Sequence, residues 1–60
     1  MRVEFYDVYC RLLKMLNEDW EDIPSLDEYV IINFIYYKVI RIVYDYDENI
    51  IYYTCERRNR

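Results

Sequence analysis

The chain contains no glycine among its 60 residues, and its single proline is Pro24. Average proteins carry about 7% glycine, so this absence is a clear departure from ordinary composition. Helix ends and tight turns often need a residue with positive φ, and asparagine is the residue that best replaces glycine there. We therefore expect Asn17 and Asn49 to mark the ends of elements. Glycine-rich phosphate-binding loops are excluded.

The N-terminal residues carry apolar side chains at a helical spacing. Six of them follow the i, i+3, i+4, i+7 pattern and would form one stripe: Phe5, Val8, Tyr9, Leu12, Leu13 and Leu16. Arg11 and Lys14 lie off this stripe, and Asp7 is placed to pair with Arg11 four residues later. The pattern predicts an N-terminal helix over about 3–16.

A helix-start signal follows Pro24. Ser25 and Glu28 have the spacing of a capping box, in which each side chain binds a free amide of the first helical turn. Asp27 and Glu28 would also oppose the positive end of the helix dipole. We therefore expect a second helix that starts near residue 26.

Residues 29–46 are almost all β-branched or aromatic, and no turn residue is evident between them. They form either a helix that passes into a strand or one helix of about twenty residues. Asp47, Glu48 and Asn49 then make a polar break before a second β-rich run, which favours a C-terminal hairpin of about 39–46 with 50–56. The predicted fold class is α+β, and the alternative is an all-α helical hairpin with a long second helix.

Composition favours one small domain over 1–60, with a frayed tail at 57–60, that associates with itself. A chain of this size hides only about 60% of the surface that its unfolded form exposes. Yet 55% of the residues are hydrophobic and 20% are aromatic, including nine tyrosines. Large exposed apolar patches usually mark interfaces, so we expect a homo-oligomer, most simply a dimer.

Negative charge is concentrated in residues 17–28, which carry −6, whereas the rest of the chain carries +2. Such a segment attracts basic partners, and its tryptophan is a residue type enriched in binding hot spots. The candidate partner-binding residues are Glu18, Asp19, Trp20, Glu21, Asp22, Asp27 and Glu28. The alternative interpretation is a solvated loop that leads into the second helix.

The sequence gives little support for catalysis or for a bound metal. The chain has no histidine, and its two cysteines, Cys10 and Cys55, are too few for a four-ligand zinc site. Whether they form a disulfide stays open. Asp45, Asp47, Asn49 and Glu56 match four positions of a calcium-binding EF-hand loop. Ile50 stands where that loop needs glycine, so we expect a polar turn there. For the chain as a whole we expect no cofactor and no enzymatic activity.

These features together favour an interaction protein. The longest apolar run is too short for a membrane helix, so a cytoplasmic location is expected. The residue usage fits AT-rich codons of viral or mobile-element genes. We expect a small acidic protein that binds and inhibits a host protein with a basic surface, one that handles nucleic acid, in the host cytoplasm. The alternatives are a dimeric DNA-binding transcriptional regulator that uses the arginine tail and a small structural virion subunit.

Overall fold

A computed structural model describes residues 2–17 and 23–59. Five β-strands are present: β1 (Arg2–Asp7), β2 (Leu12–Leu16), β3 (Tyr29–Ile32), β4 (Ile35–Asp45) and β5 (Ile50–Arg57). They form one curled sheet in the order β2-β1-β5-β4-β3. β1 and β5 are parallel, and the other neighbouring strands are antiparallel. No helix occurs in these two ranges, so the fold is all-β.

The predicted helix over 3–16 is wrong: these residues form β1, a turn and β2. Val3 and Phe5 alternate with outward-facing residues along β1 and are buried. Val8 and Tyr9, which the helical spacing placed on the apolar stripe, lie exposed in the turn between the strands. The stripe arose because two short strands and their turn brought apolar residues to helical spacings by coincidence.

The predicted second helix is also wrong, and so are both proposed fold classes. Residues around Leu26 form a turn that leads into β3. Half of the expected capping box is present, because Glu28 Oε1 accepts a hydrogen bond from the Ser25 amide at 2.6 Å. That bond closes the turn instead of starting a helix. The β-branched and aromatic residues that follow have strand preferences that override the local signal.

The β3–β4 hairpin turns at Asn33 and Phe34, where the sequence had indicated no turn. Both residues have positive φ, 52° and 65°, as the favoured two-residue hairpin turn requires. Asn33 tolerates this conformation, whereas Phe34 occupies the position that glycine usually fills. The ring of Phe34 is fully exposed, at 101%.

The predicted C-terminal hairpin is present, although its first strand is longer than expected. β4 begins at Ile35 and pairs with β5 through to the Asp45–Ile50 pair. Asn49 has φ 57°, which confirms its predicted role in the turn. An irregularity in register between Val39 and Arg41 is a β-bulge. At the far end, the Arg58 amide donates to the Tyr36 carbonyl at 2.9 Å.

One face of the sheet, the inner face, carries the core. Its fully buried members come from the three central strands: Val3, Phe5, Val39, Ile51, Tyr53 and Cys55. The rings of Phe5 and Tyr53 stack with centroids 4.9 Å apart. The side chains that alternate with these residues form the outer face.

The segment between β2 and β3 joins opposite edges of the sheet, because β2 and β3 are the two edge strands. Its described part includes Ile23, which packs against the core. In the residues that the structure describes, no helix is long and apolar enough to cross a membrane.

Candidate functional site

Most of the predicted acidic site lies outside the described residues. This holds for Glu18, Asp19, Trp20, Glu21 and Asp22. Asp27 and Glu28 are described, and both act within the fold. Asp27 lies 3.5 Å from the Lys38 ammonium, and Glu28 binds the Ser25 amide. The Glu28 carbonyl also accepts a hydrogen bond from the Val39 amide at 2.8 Å, which continues the pairing of β3 with β4.

Four carboxylates of the described chain form ion pairs with nearby cations. The ion pairs are Glu4 with Arg2 at 2.7 Å, Asp7 with Arg11 at 2.7 Å, Asp27 with Lys38 at 3.5 Å and Glu56 with Arg58 at 3.1 Å. Asp47 and Glu48 make no such pair with any described residue, and both are exposed. Among the described carboxylates, uncompensated negative charge is therefore concentrated in the turn between β4 and β5.

Residues 44–49, hereafter the acidic turn, have a defined geometry. The carboxylate oxygen Oδ1 of Asp45 accepts hydrogen bonds from the amides of Asp47 and Glu48 at 3.1 and 3.0 Å. The rings of Tyr44 and Tyr46 stack at a centroid distance of 6.3 Å and an interplanar angle of 14°. Tyr44 is 51% exposed and Tyr46 is 88% exposed. The turn thus presents two rings beside two free carboxylates.

The sequence analysis did not predict this turn as a candidate site, because residues 17–28 carry the larger charge. The signal was nevertheless available, since Tyr44, Asp45, Tyr46, Asp47 and Glu48 alternate rings and acids. The acidic run was interpreted only as a hairpin break and as a calcium-loop likeness. Within residues 2–17 and 23–59, no three side chains of the metal-binding types converge into a possible metal site.

Tyrosines also cover the outer face. Tyr6 and Tyr52 lie 6.1 Å apart between ring centroids, and Tyr29 stacks on Tyr36 at 5.0 Å. The Tyr6 hydroxyl donates to Glu4 at 2.6 Å. This hydrogen bond and partial burial raise the pKa of Tyr6 above its ordinary value. Tyrosine rings therefore shield the sheet while their hydroxyls stay polar, which accounts for part of the surplus aromatic content.

The β1–β2 turn, at the other end of the sheet, is held by Asp7. Its carboxylate accepts hydrogen bonds from the amides of Tyr9 and Arg11 and from the Arg11 guanidinium, at 2.8, 3.0 and 2.7 Å. Burial alone would raise the pKa of Asp7, but these donors outweigh it and the pKa lies below its ordinary value. The predicted pairing of Asp7 with Arg11 is present, in a hairpin instead of a helix.

The two buried groups that could act as nucleophiles, a thiol and a phenol hydroxyl, are held protonated. Burial raises the pKa of the Cys55 thiol to about 11 and that of the Tyr53 hydroxyl to about 12. Both stay neutral near pH 7, so neither is an activated nucleophile. Cys10 is exposed, and the two cysteines are free thiols. An open groove of about 650 Å³ beside Asp7, Arg11 and Arg57 is lined by groups already engaged in the fold or facing solvent.

The arrangement is suited to binding, through the acidic turn. Comparison of the chain with protein-family models, with curated proteins and with solved structures finds no match in any of the three.

Proposed function

We propose that the protein is a non-catalytic binding protein whose acidic turn docks onto a basic surface of a partner protein. The observation that carries this proposal is the pairing of exposed rings with unneutralised carboxylates: Tyr46, stacked on Tyr44, lies beside Asp47 and Glu48. Tyrosine is one of the residue types most enriched in binding hot spots, and the adjacent charges steer a basic partner towards them.

The partner class follows from the charge. A protein that handles nucleic acid presents lysine and arginine to phosphates, and the same surface would accept the carboxylates of the acidic turn. Docking there blocks the nucleic acid, so the protein acts as an inhibitor, in keeping with a viral or mobile-element origin. The segment with Glu18, Asp19, Glu21 and Asp22 adds four further negative charges to the chain and strengthens the attraction.

The test compares one charge-neutralised variant and one variant that lacks a ring with the wild-type protein. Each is immobilised and exposed to lysate, and the captured proteins are quantified by mass spectrometry. The variant Asp47→Asn, Glu48→Gln should lose the specific partner, and the variant Tyr46→Ser should lose it as well. Excess duplex DNA should displace the partner from the wild type, because the two compete for one basic surface.

The matched control is Asp27→Asn, Glu28→Gln, which removes the same charge from side chains that serve the fold. It should retain capture once circular dichroism shows that it is folded. An equal loss of captured partner in this control would show that capture depends only on net charge, and would contradict docking through the turn. A partner that resists displacement by DNA would contradict the proposed mechanism of inhibition. Direct, salt-sensitive binding of DNA by the protein itself would favour a DNA-binding regulator instead.

A further inference from the structure

The β4 strand is longer than the strand that covers its outer edge. β3 pairs with β4 from Ile35 to Lys38, and Glu28 extends this pairing to Val39. From Arg41 to Asp45, β4 pairs with β5 on one side only, and no strand of the described chain occupies the other side. The backbone groups that face outward along this segment are free to pair with another strand.

The composition of this edge leaves pairing possible, because its two charged residues, Arg41 and Asp45, lie at its ends. It contains no proline and no lysine, the residues that commonly block exposed edges. Ile40, Val43 and Tyr44 are 37%, 39% and 51% exposed. The β-bulge lies at the N-terminal start of the segment, and residues 41–45 are in regular register with β5. An edge five residues long, with three hydrophobic residues between Arg41 and Asp45, is therefore available.

The edge is complementary to itself. If two copies lie antiparallel with Val43 at the centre, Arg41 of each copy stands opposite Asp45 of the other, and Ile42 stands opposite Tyr44. Residues directly opposite each other in an antiparallel pair point to the same face, so both ion pairs can form. Arg41 makes no ion pair with any described residue of its own chain. A slip that places Arg41 opposite Tyr44 loses both pairs, so the charges fix the register.

We propose that two copies of this protein associate edge to edge through β4, antiparallel, with Val43 on the two-fold axis. The two sheets then continue as one sheet of ten strands. The backbone from Arg41 to Asp45 is used in pairing, while Asp47 and Glu48 stay free at each end of the seam. This proposal does not depend on the proposed function of the acidic turn. Since one strand pair makes a small interface, the dimer forms in a concentration-dependent manner.

The experiment is sedimentation equilibrium over a wide concentration range. The wild-type mass should rise from 7.7 kDa towards twice that value. In a dimer of the Arg41→Asp variant, each of the two Arg41–Asp45 pairs becomes a pair of carboxylates. In a dimer of the Asp45→Arg variant, each becomes a pair of guanidinium groups. Each variant should dimerise about tenfold more weakly or worse, because like charges directly opposite are unfavourable. An equimolar mixture of the two variants restores both opposite-charge pairs and should regain wild-type dimerisation as a heterodimer.

Two further variants separate the interface from folding. Asp45→Asn keeps the oxygen that accepts the turn amides but removes the charge, so it should weaken the dimer several-fold while circular dichroism stays unchanged. Lys14→Asp changes the net charge equally on β2, away from this edge, and should dimerise like the wild type. The proposal is overturned if the wild type stays monomeric at millimolar concentration. It is equally overturned if the mixture shows no gain over either variant, or if Lys14→Asp weakens the dimer as much as Arg41→Asp.

Discussion

Within residues 2–17 and 23–59, five residues adopt positive φ: Cys10, Asp27, Asn33, Phe34 and Asn49. Each lies at or next to a turn, so the missing glycines are replaced one by one. Asn and Asp tolerate this region, because their short polar side chains can hydrogen-bond locally. Cys10 and Phe34 have no such help, and a non-glycine residue there costs on the order of 1–2 kcal/mol.

Phe34→Gly should therefore stabilise the protein. The ring is fully exposed, so its removal forfeits no buried contact. The relief of backbone strain at φ 65° outweighs the greater conformational entropy that glycine gives the unfolded chain. We expect a gain of about 0.5–1 kcal/mol in the free energy of unfolding, measured by urea denaturation. Phe34→Ala, which removes the ring but keeps the Cβ atom, should give no gain. A gain in both variants would assign the effect to the ring.

The Tyr53 hydroxyl is fully buried, and no described residue accepts or donates a hydrogen bond to it. A buried hydroxyl without a partner costs about 1–3 kcal/mol, so Tyr53→Phe should raise the free energy of unfolding by about 1 kcal/mol. Tyr29→Phe, at an exposed ring, should leave it unchanged. Loss of stability in Tyr53→Phe would show that the hydroxyl has a partner.

The raised pKa of Tyr53 also gives a pH signature. Its folded pKa of about 12 lies above the ordinary value of 10.0. The native state therefore holds this proton more tightly, and the associated stability is present below pH 10 and is lost as the pH rises towards 12. Urea denaturation at several alkaline pH values should show a steeper loss in the wild type than in Tyr53→Phe. Parallel slopes would contradict the burial of this group.

Asp7 gives the opposite dependence. Its folded pKa is depressed, so its contribution is present above the ordinary value near pH 4 and is lost as the pH falls through the folded pKa. Asp7→Asn should be less stable than the wild type at pH 6, and this difference should shrink as the pH falls to about 2. A difference that stays constant with pH would show that the charge of Asp7 is not what holds the β1–β2 turn.

Elements of this fold were predictable from sequence where their partner was local. The β4–β5 hairpin was recognised because β-rich runs flank a polar break that ends in Asn49. The β1–β5 pairing was not, since Val3 and Ile51 are partners across almost the whole chain and no local pattern records that contact. When the β1–β5 pairing is not known, the spacing of the apolar residues in the N-terminal segment favours an amphipathic helix.

The same limit applies to the candidate site. The charges of the acidic turn are visible in the sequence, but which carboxylates remain unpaired depends on tertiary neighbours. Lys38 reaches Asp27 only because β3 and β4 are adjacent, and this contact removes Asp27 from the set of free acids. The turn at Asn33 and Phe34 could not be predicted from the sequence, because phenylalanine is rarely found at positive φ in hairpin turns.

The two cysteines test the arrangement of the strands. Cys55 lies at the centre of the sheet, paired with Asp7 on one side and Val39 on the other, and is fully buried. Cys10 lies exposed in a turn. A maleimide reagent should label only Cys10 in the native protein and both thiols in urea, and native Cys10→Ser should stay unlabelled. Rapid labelling of Cys55 in that native variant would contradict this strand order.

Among the described residues, the unpaired acids Asp47 and Glu48 lie at one end of the sheet, and the ion pairs Asp7–Arg11 and Glu56–Arg58 lie at the other. The parallel directions of β1 and β5 place the acidic turn at one end of the sheet, whereas the end of β5, with Arg57 and Arg58, lies at the other. Arg11 lies at this second end as well. Under the proposed function, the end that presents Tyr46, Asp47 and Glu48 would steer a basic partner, and the free β4 edge leads to the same end.

The strand order and the buried core depend on β1 lying beside β5, and nuclear magnetic resonance of the labelled protein measures that directly. We expect strand-type backbone shifts over residues 3–7 and 12–16, with nuclear Overhauser contacts between the rings of Phe5 and Tyr53, whose centroids lie 4.9 Å apart. Continuous helical shifts over 3–16 without contacts between Phe5 and Tyr53 would contradict the strand order and the buried core, and with them the all-β fold.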